Sequence, residues 1–398
     1  MSGFFVVGEK KERPGVYKRY ENAGGVEAAG ARSGVGCALV TGNWGALNTP
    51  VTIDQSTDIS SVIGAGSGYD AITAFMAGGM EECVVVRVGT GGTPATITLK
   101  DTTTSAAVDA VVLTALYPGN RAFTITVKAS LDDEAAKEAT IYEGTKALEK
   151  VTFAAGKTEV DGIVAAFANS KYVKATKKTP GNGTLADVTQ KAFTAGTNPT
   201  VNTAAYGEAA NASEAEVRDM IIVDTNDAAV HTLIATHVAR VFQEGAYTMA
   251  TVAEPSSVEI ETRMQHAAAF NDEKIHYPLN PYIGTDGVEY EGYMLAARIG
   301  GLICAGASNA SLTHTVISGA AKLKETLKSG CIVLSTSKSK QVWIEKAINT
   351  LVTLSKDQDA GWKKIRRVKE RFELMDRVEQ TTEVLIGQVD NDPDGRAA

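Results

Sequence analysis

The stretch Cys83 to Val88, CVVVRV, is a nearly continuous apolar run of strand length, closed by Gly89, Gly91 and Gly92. A strand that is apolar on both faces needs cover on both sides, which is the condition of a parallel sheet lying between helices. Val35, Cys37, Leu39 and Val40 repeat the pattern, as do Met220 to Val223, and a further strand is expected at Tyr247 to Ala253. Segments with helical spacing separate these runs. They are Tyr69 to Ala77, Asn226 to Glu244 with Val230, Leu233, Ile234, Val238 and Val241 on one face, Ser257 to Phe270, and Glu289 to Ala305. Ser213 with Glu216 three residues on has the form of a capping box and predicts a helix opening at that serine. Strand and helix in alternation predict an α/β layer.

Between about Thr93 and Asn198 the alternation stops, and the composition shifts to Thr, Ala, Gly and Lys. Short alternating runs at Thr96 to Leu99, Phe123 to Val127, Thr140 to Tyr142 and Leu148 to Phe153 predict a small mostly-β module. It holds one helix at Val160 to Asn169 and a turn at Pro180 to Gly183. Further on, Cys331 to Ser335 and Gln341 to Ile344 predict a hairpin around the polar loop Thr336 to Lys340, and Ile365, Val368, Phe372, Met375 and Val378 mark the buried stripe of a last helix. With 398 residues the chain exceeds what one core usually serves. The expected fold class is therefore α/β, multidomain, with an inserted mostly-β domain and an α+β C-terminal domain. The expected boundaries are an arm at 1–22, an α/β domain at 23–92 and 200–330, the β-sandwich-like insert at 93–199, and the C-terminal domain at 331–398.

Charge and cysteine usage remove several functions. A net charge of -8 argues against a nucleic-acid groove, which needs a basic face. Cys37, Cys83, Cys304 and Cys331 show no C-x-x-C spacing and are expected to be reduced, buried thiols. Phe4 to Val7 is too short for a signal peptide, and no later apolar stretch reaches about 18 residues. Synthesis in the host cytoplasm without membrane insertion is the expectation.

Motifs for catalysis are incomplete. No G-x-S-x-G is present, since Ser308 in GASNA lacks the last glycine. Asp224 and His231 offer the acid and base of a triad, but no serine motif accompanies them. Gly64, Gly66 and Gly68, like Gly34 and Gly36, miss the dinucleotide pattern and suit tight turns. Gly156 to Thr158 lacks the first glycine of a P-loop. His231 and His237 are six apart, on different helix faces, and His266, His276 and His314 have no partner at ligand spacing. No catalytic residue, metal or cofactor is expected. Two features remain. Residues 1–22 join an apolar cluster, the charged stretch Glu9 to Arg13, and Pro14, Gly15 and Tyr17 in a segment that cannot bury itself alone. Lys363, Lys364, Arg366, Arg367, Lys369 and Arg371 crowd the first turns of the last helix, as a solvated face or as a dock for an acidic partner.

Six short stretches occur in order: RPGVY at 13–17, YPGN at 117–120, AGTNP at 195–199, INTLV at 348–352, WKKIRRVKERFEL at 362–374 and NDPDGR at 391–396. Together they resemble the contractile tail sheath family of phages and phage-derived bacteriocins. That resemblance implies a subtilisin-like α/β layer without a working triad, an inserted β domain, and a C-terminal domain facing an inner tube. It implies a structural subunit, not an enzyme, stacked as hexameric rings around the tail tube and contracting to drive the tube through a cell envelope. Neighbouring sheath copies, the tail tube protein, the baseplate and the tail terminator are the implied partners, and a phage tail or phage-like particle the implied location. On this resemblance Phe4, Phe5, Val6, Val7, Pro14 and Tyr17 belong to the intersubunit arm, and Lys363, Lys364, Arg366, Arg367 and Arg371 to a tube-facing basic helix. Family members continue past NDPDGR to a C-terminal arm, so a sequence ending at Ala398 is expected to hold an incomplete C-terminal domain. An α/β hydrolase-like or nucleotide-dependent enzyme with an unrecognised site, and another tail or baseplate component, are the alternatives.

Overall fold

The computed structural model describes residues 2–4, 16–18, 34–103, 106–178, 183–306 and 325–383. At the N-terminus β1 (Ser2–Phe4) and β2 (Val16–Lys18) pair in parallel, Ser2 with Val16 and Phe4 with Lys18. The layer then begins with β3 (Val35–Val40), β4 (Pro50–Asp54), α1 (Ile59–Ile63), α2 (Ser67–Met76) and β5 (Glu82–Arg87). β3 and β5 run parallel with Cys37 opposite Val84, and β4 lies antiparallel on the outer edge of β5.

The chain next leaves the layer. β6 (Pro94–Asp101), β7 (Val108–Pro118), β8 (Thr124–Ala129), β9 (Ala136–Glu143), β10 (Lys146–Ala154), α3 (Glu159–Ala166), β11 (Val173–Lys177) and β12 (Val188–Ala192) follow. They form a four-stranded sheet, β10-β9-β8-β12, and a three-stranded sheet, β11-β7-β6. Ile97, Leu113, Ile125, Ile141 and Phe167 share one core. The sequence underestimated this module: β7, 11 residues long, was not anticipated, nor were β11 and β12. Lys174, Lys177 and Lys191 punctuate the last two strands, as charged side chains do at exposed sheet edges, and so dilute the alternation that marks a strand.

Return to the layer occurs through α4 (Thr203–Ala212), β13 (Met220–Val223), α5 (Ala228–Gln243), β14 (Met249–Thr251), α6 (Ile260–Phe270) and β15 (Ile275–His276). The small antiparallel pair β16 (Tyr282–Ile283) and β17 (Glu289–Tyr290) precedes α7 (Gly292–Ala305), and the hairpin β18 (Leu334–Thr336) and β19 (Val342–Ile344) precedes α8 (Ile365–Glu383). The six-stranded order is β15-β14-β13-β3-β5-β4. β3 shows why both faces are apolar. Ala38 and Val40 join α2, α7 and α8 in one core, through Phe75, Ile299 and Val368, whereas Cys37 and Leu39 join α4 and α5 in the other, through Tyr206 and Ile234.

Three local expectations are corrected. Ser213 opens no new α-helix but only a three-residue 3-10 turn that continues α4: α4 is capped by Asn202, whose side chain accepts from the Ala205 amide at 2.9 Å, and the Ser213 hydroxyl donates back to the Ala210 carbonyl at 2.7 Å. Ala205, Tyr206, Ala209 and Ala210 supply its buried face, and alanine contrasts too weakly with its neighbours to reveal such a face in the sequence. α7 starts at Gly292, because Glu289 and Tyr290 pair with β16. Val378 is 42% exposed, so the buried stripe of α8 ends at Met375.

Candidate functional site

The corner at which a hydrolase would be sought lies where the layer changes direction, at the carboxyl ends of the adjacent strands β3 and β13. There Asp224 is enclosed by donors. One carboxylate oxygen accepts from the Thr41 amide at 2.9 Å, the Thr41 hydroxyl at 2.6 Å and the Ser67 hydroxyl at 2.7 Å, and the other accepts from the Tyr206 hydroxyl at 2.7 Å. Burial, then the neighbouring Asp224 charge, push the Tyr206 phenol pKa up, so it remains a donor. His231 turns elsewhere: its Nε2 lies 2.9 Å from the Thr225 carbonyl, and burial pushes its pKa down. Asp224, Ser67 and His231 therefore form no relay, and the carboxylate acts as a staple for β3, α2 and α4. Gly68, in the first turn of α2, serves the same contact, since a Cβ there would lie 2.0 Å from the Thr41 carbonyl oxygen.

A second polar cluster gave no signal in the sequence, because its members are spread over Glu254, His266 and Tyr277. The Tyr277 hydroxyl donates to Glu254 Oε2 at 2.7 Å, and His266 Nδ1 lies 2.7 Å from the same oxygen. They border a cavity of about 340 Å³ between α5 and α6. Among the described residues no group of three or more His, Cys, Asp or Glu could hold a metal ion.

Four of the six short stretches meet in pairs, while NDPDGR and residues 13–15 of RPGVY lie outside the described residues. YPGN and AGTNP face each other at the neck of the β insert: the Asn120 amide donates to Asn198 Oδ1 at 2.9 Å, and a Cβ at Gly196 would lie 2.4 Å from the Gly119 carbonyl oxygen. Gly119 has φ +154, and a Cβ there would lie 2.1 Å from the Asn43 carbonyl oxygen. Beside them Trp44 leaves the loop after β3 and enters the core of the insert, edge-on to Tyr117 and Phe123 at centroid distances of 5.0 and 5.2 Å. Arg121 stands 5.2 Å over the indole while its guanidinium grips Glu143 at 2.9 and 2.8 Å. The two crossings are also laced together, Thr90 with Thr200 and Thr93 with Thr197. INTLV and the start of WKKIRRV make the other junction, where Asn349 donates to the Trp362 and Lys363 carbonyls and the Lys363 ammonium donates to the Val352 carbonyl at 2.6 Å.

Geometry divides the basic cluster. Arg371 is 4% exposed, paired with Glu273, and its guanidinium carbon sits 3.9 Å from the Trp362 ring centroid. Its charge belongs to the interior, because a buried carboxylate and an aromatic face accept it. The Lys369 ammonium donates to the carbonyls of Ile303, Cys304 and Gly306 and so caps the end of α7. Arg367 is exposed, and Lys363, Lys364 and Arg366 are half-buried, Arg366 with Glu370 at 2.8 Å. Of the arm, Phe4 falls in β1 and Tyr17 in β2, which lies beside α8, whereas Phe5, Val6, Val7 and Pro14 lie outside the described residues.

Residues 90–198 match the family described as the phage tail sheath protein beta-sandwich domain. The crystal structure of the sheath tail protein from Desulfitobacterium hafniense shares the fold with a TM-score of 0.73 at 19% identity, over 96% of this chain and 86% of that one. The sheath tail protein from Listeria innocua does so with a TM-score of 0.66 at 21% identity, over 92% of this chain and 82% of that one. No protein of curated function matches the sequence. The sheath resemblance carried by the six short stretches is thus met, over residues 90–198, by a match to the beta-sandwich domain of phage tail sheath proteins.

Proposed function

We propose that this chain, whose residues 90–198 belong to the phage tail sheath beta-sandwich family, is the sheath subunit of a contractile injection apparatus. The observation that carries the reading is that family match, set within a fold shared along nearly the whole chain with two sheath tail proteins. In this reading residues 23–92 and 200–330 form a subtilisin-like layer, 93–199 the sandwich, 331–398 a tube-facing domain and 1–22 an arm. Copies stack as hexameric rings around a tail tube, between baseplate and tail terminator. Contraction needs no chemistry: a small gain in contact free energy per subunit, summed over many copies, drives the tube forward while surfaces re-pair. Asp224 as a staple supports this non-enzymatic role. Negative-stain microscopy of the full chain should show striated hollow cylinders, and many copies per particle separate a sheath from a baseplate part. A strictly monomeric chain that turned over a small molecule would overturn it.

The arm is supported by the ribbon of β1 and β2. Two strands of three residues are marginal alone in water, and their outer backbone edges suit a strand from elsewhere. Deleting residues 1–20 should leave the melting profile nearly intact and remove all polymers from the pellet of a sedimentation assay. Cylinders that persisted after the deletion would refute the arm.

For the basic helix the testable set is Lys364, Arg366 and Arg367. Reversing all three to Glu should weaken binding to the tail tube protein by about tenfold at low salt and much less at high salt, since charges that still reach solvent are screened. Tube binding indifferent to the triple reversal would remove this helix from the tube interface.

A further inference from the structure

Glu254 lies just beyond the carboxyl end of β14, and Tyr277 directly follows β15. The cavity of about 340 Å³ that they border thus opens on the edge of the layer where open α/β sheets receive ligands. Glu254 is 5% exposed, and its two donors, the Tyr277 hydroxyl and His266 Nδ1, both meet Oε2. Among the described residues Oε1 takes no donor, and no lysine or arginine lines the cavity. Burial, then the bond to Glu254, push the Tyr277 phenol pKa up, so its hydroxyl stays a donor. His266, 43% exposed, offsets the carboxylate only when protonated.

His231 adds a second acceptor. Its Nε2 donates to the Thr225 carbonyl at 2.9 Å and burial keeps the ring neutral, so Nδ1 retains its lone pair. Asp227, the N-cap of α5, brings a further negative charge to this end of the helix. The remaining lining is largely apolar: the rings of Phe270 and Tyr277, with centroids 6.5 Å apart, stand beside Ala228, Ala229 and Ala269.

This lining is selective. An anion would meet a like charge, and a neutral apolar guest would leave a buried carboxylate oxygen without a donor. Water satisfies the lone pairs of that oxygen but not its charge. A metal ion finds too few ligands among the described residues. A primary ammonium brings three donors and a positive charge, which aromatic faces also attract, and its alkyl chain suits the alanines and rings. At about 30 Å³ for each water-sized group, the volume limits the guest to roughly ten non-hydrogen atoms.

We propose that this cavity binds a small primary alkylammonium ion, with the ammonium on Glu254 and His231 and the chain against Phe270 and Tyr277. The inference goes beyond the sheath-subunit reading and does not depend on it.

Saturation-transfer NMR on the full chain tests it, at about pH 8 where an ordinary imidazole is neutral. n-Butylammonium should bind saturably with a Kd on the order of 1 mM, n-butanol about tenfold more weakly, and butyrate not at all. Glu254→Gln leaves Tyr277 an acceptor but removes the charge, and should weaken n-butylammonium by about tenfold or more. Ala269→Leu, at an exposed position of α6 that lines the cavity, should block binding with the melting temperature unchanged, and it decides the matter if Glu254→Gln does not fold. n-Butanol binding as tightly as n-butylammonium would overturn the ammonium site. Binding that survives both substitutions, or no saturation at about 20 mM n-butylammonium, would overturn the cavity as its location.

Discussion

Acidification from pH 6.5 to pH 4 should remove on the order of 6 kcal/mol of folding stability through two buried histidines. His276 is fully buried on β15, and burial, then the Lys369 ammonium, hold its pKa down at about 3 against an ordinary 6.5. His237 is 6% exposed on α5, where burial, then Arg218, hold it at about 4. The Arg218 guanidinium, 3.1 Å from His237 Nε2, donates to the neutral ring and would repel a charged one. Both side chains stay neutral in the fold, while the unfolded chain takes protons below 6.5. Their contribution is therefore fully present above pH 6.5, falls as the pH drops through that value, and levels off near the folded pKa of each. By pH 4 each accounts for about 3 kcal/mol, and native proteins hold only about 5–15 kcal/mol in all. His231, also held down by burial, acts in the same direction. Asp54, Asp58 and Glu138, with lowered pKa values, add their loss only at more acid pH, where unfolded carboxylates take protons. Urea midpoints measured at intervals from pH 7 to pH 5 isolate the histidines. The midpoint should fall across that range in the wild type and much less in a His237→Gln/His276→Gln chain. A midpoint that stayed level in the wild type would disprove the account.

Replacement of Trp44 by Ala should cost about 3–5 kcal/mol, the range for large aromatic truncations in a core. The indole is 2% exposed and belongs to the layer by sequence and to the β insert by burial. Without it Tyr117, Phe123 and Tyr172 lose a shared ring neighbour, and Arg121 loses one of three aromatic faces. The laced threonines still hold the neck, so the insert should stay attached but unfold apart from the layer. Calorimetry should then show two transitions in Trp44→Ala where the wild type shows one, with Trp44→Phe close to wild type. A single transition and a loss below about 1 kcal/mol would mean that the indole does not couple the two units.

Several elements were legible because their signal is local. The apolar runs of β3, β5 and β13 announced strands covered on both faces, and Val230, Ile234 and Val238 announced the inward face of α5. The β insert showed itself by a change of composition, and the six short stretches named a family. What they do was hidden. YPGN and AGTNP are separated by about 75 residues, and only folding brings Asn120 to Asn198. Glu254, His266 and Tyr277 left no trace at all, since each is ordinary at its own place.

The chain's sequence alone determined which residues must leave water and with what period, and hence the parallel layer, the interruption and the resemblance. Charge was another matter. Arg367, Lys369 and Arg371 look alike along the chain, yet one faces solvent, one caps α7 and one pairs with Glu273. Side-chain period reports that a face is covered, not by what. The covering groups come from segments roughly 60 to 100 positions away, so the fate of each charge was settled only when the tertiary structure placed a carbonyl, a carboxylate or water beside it.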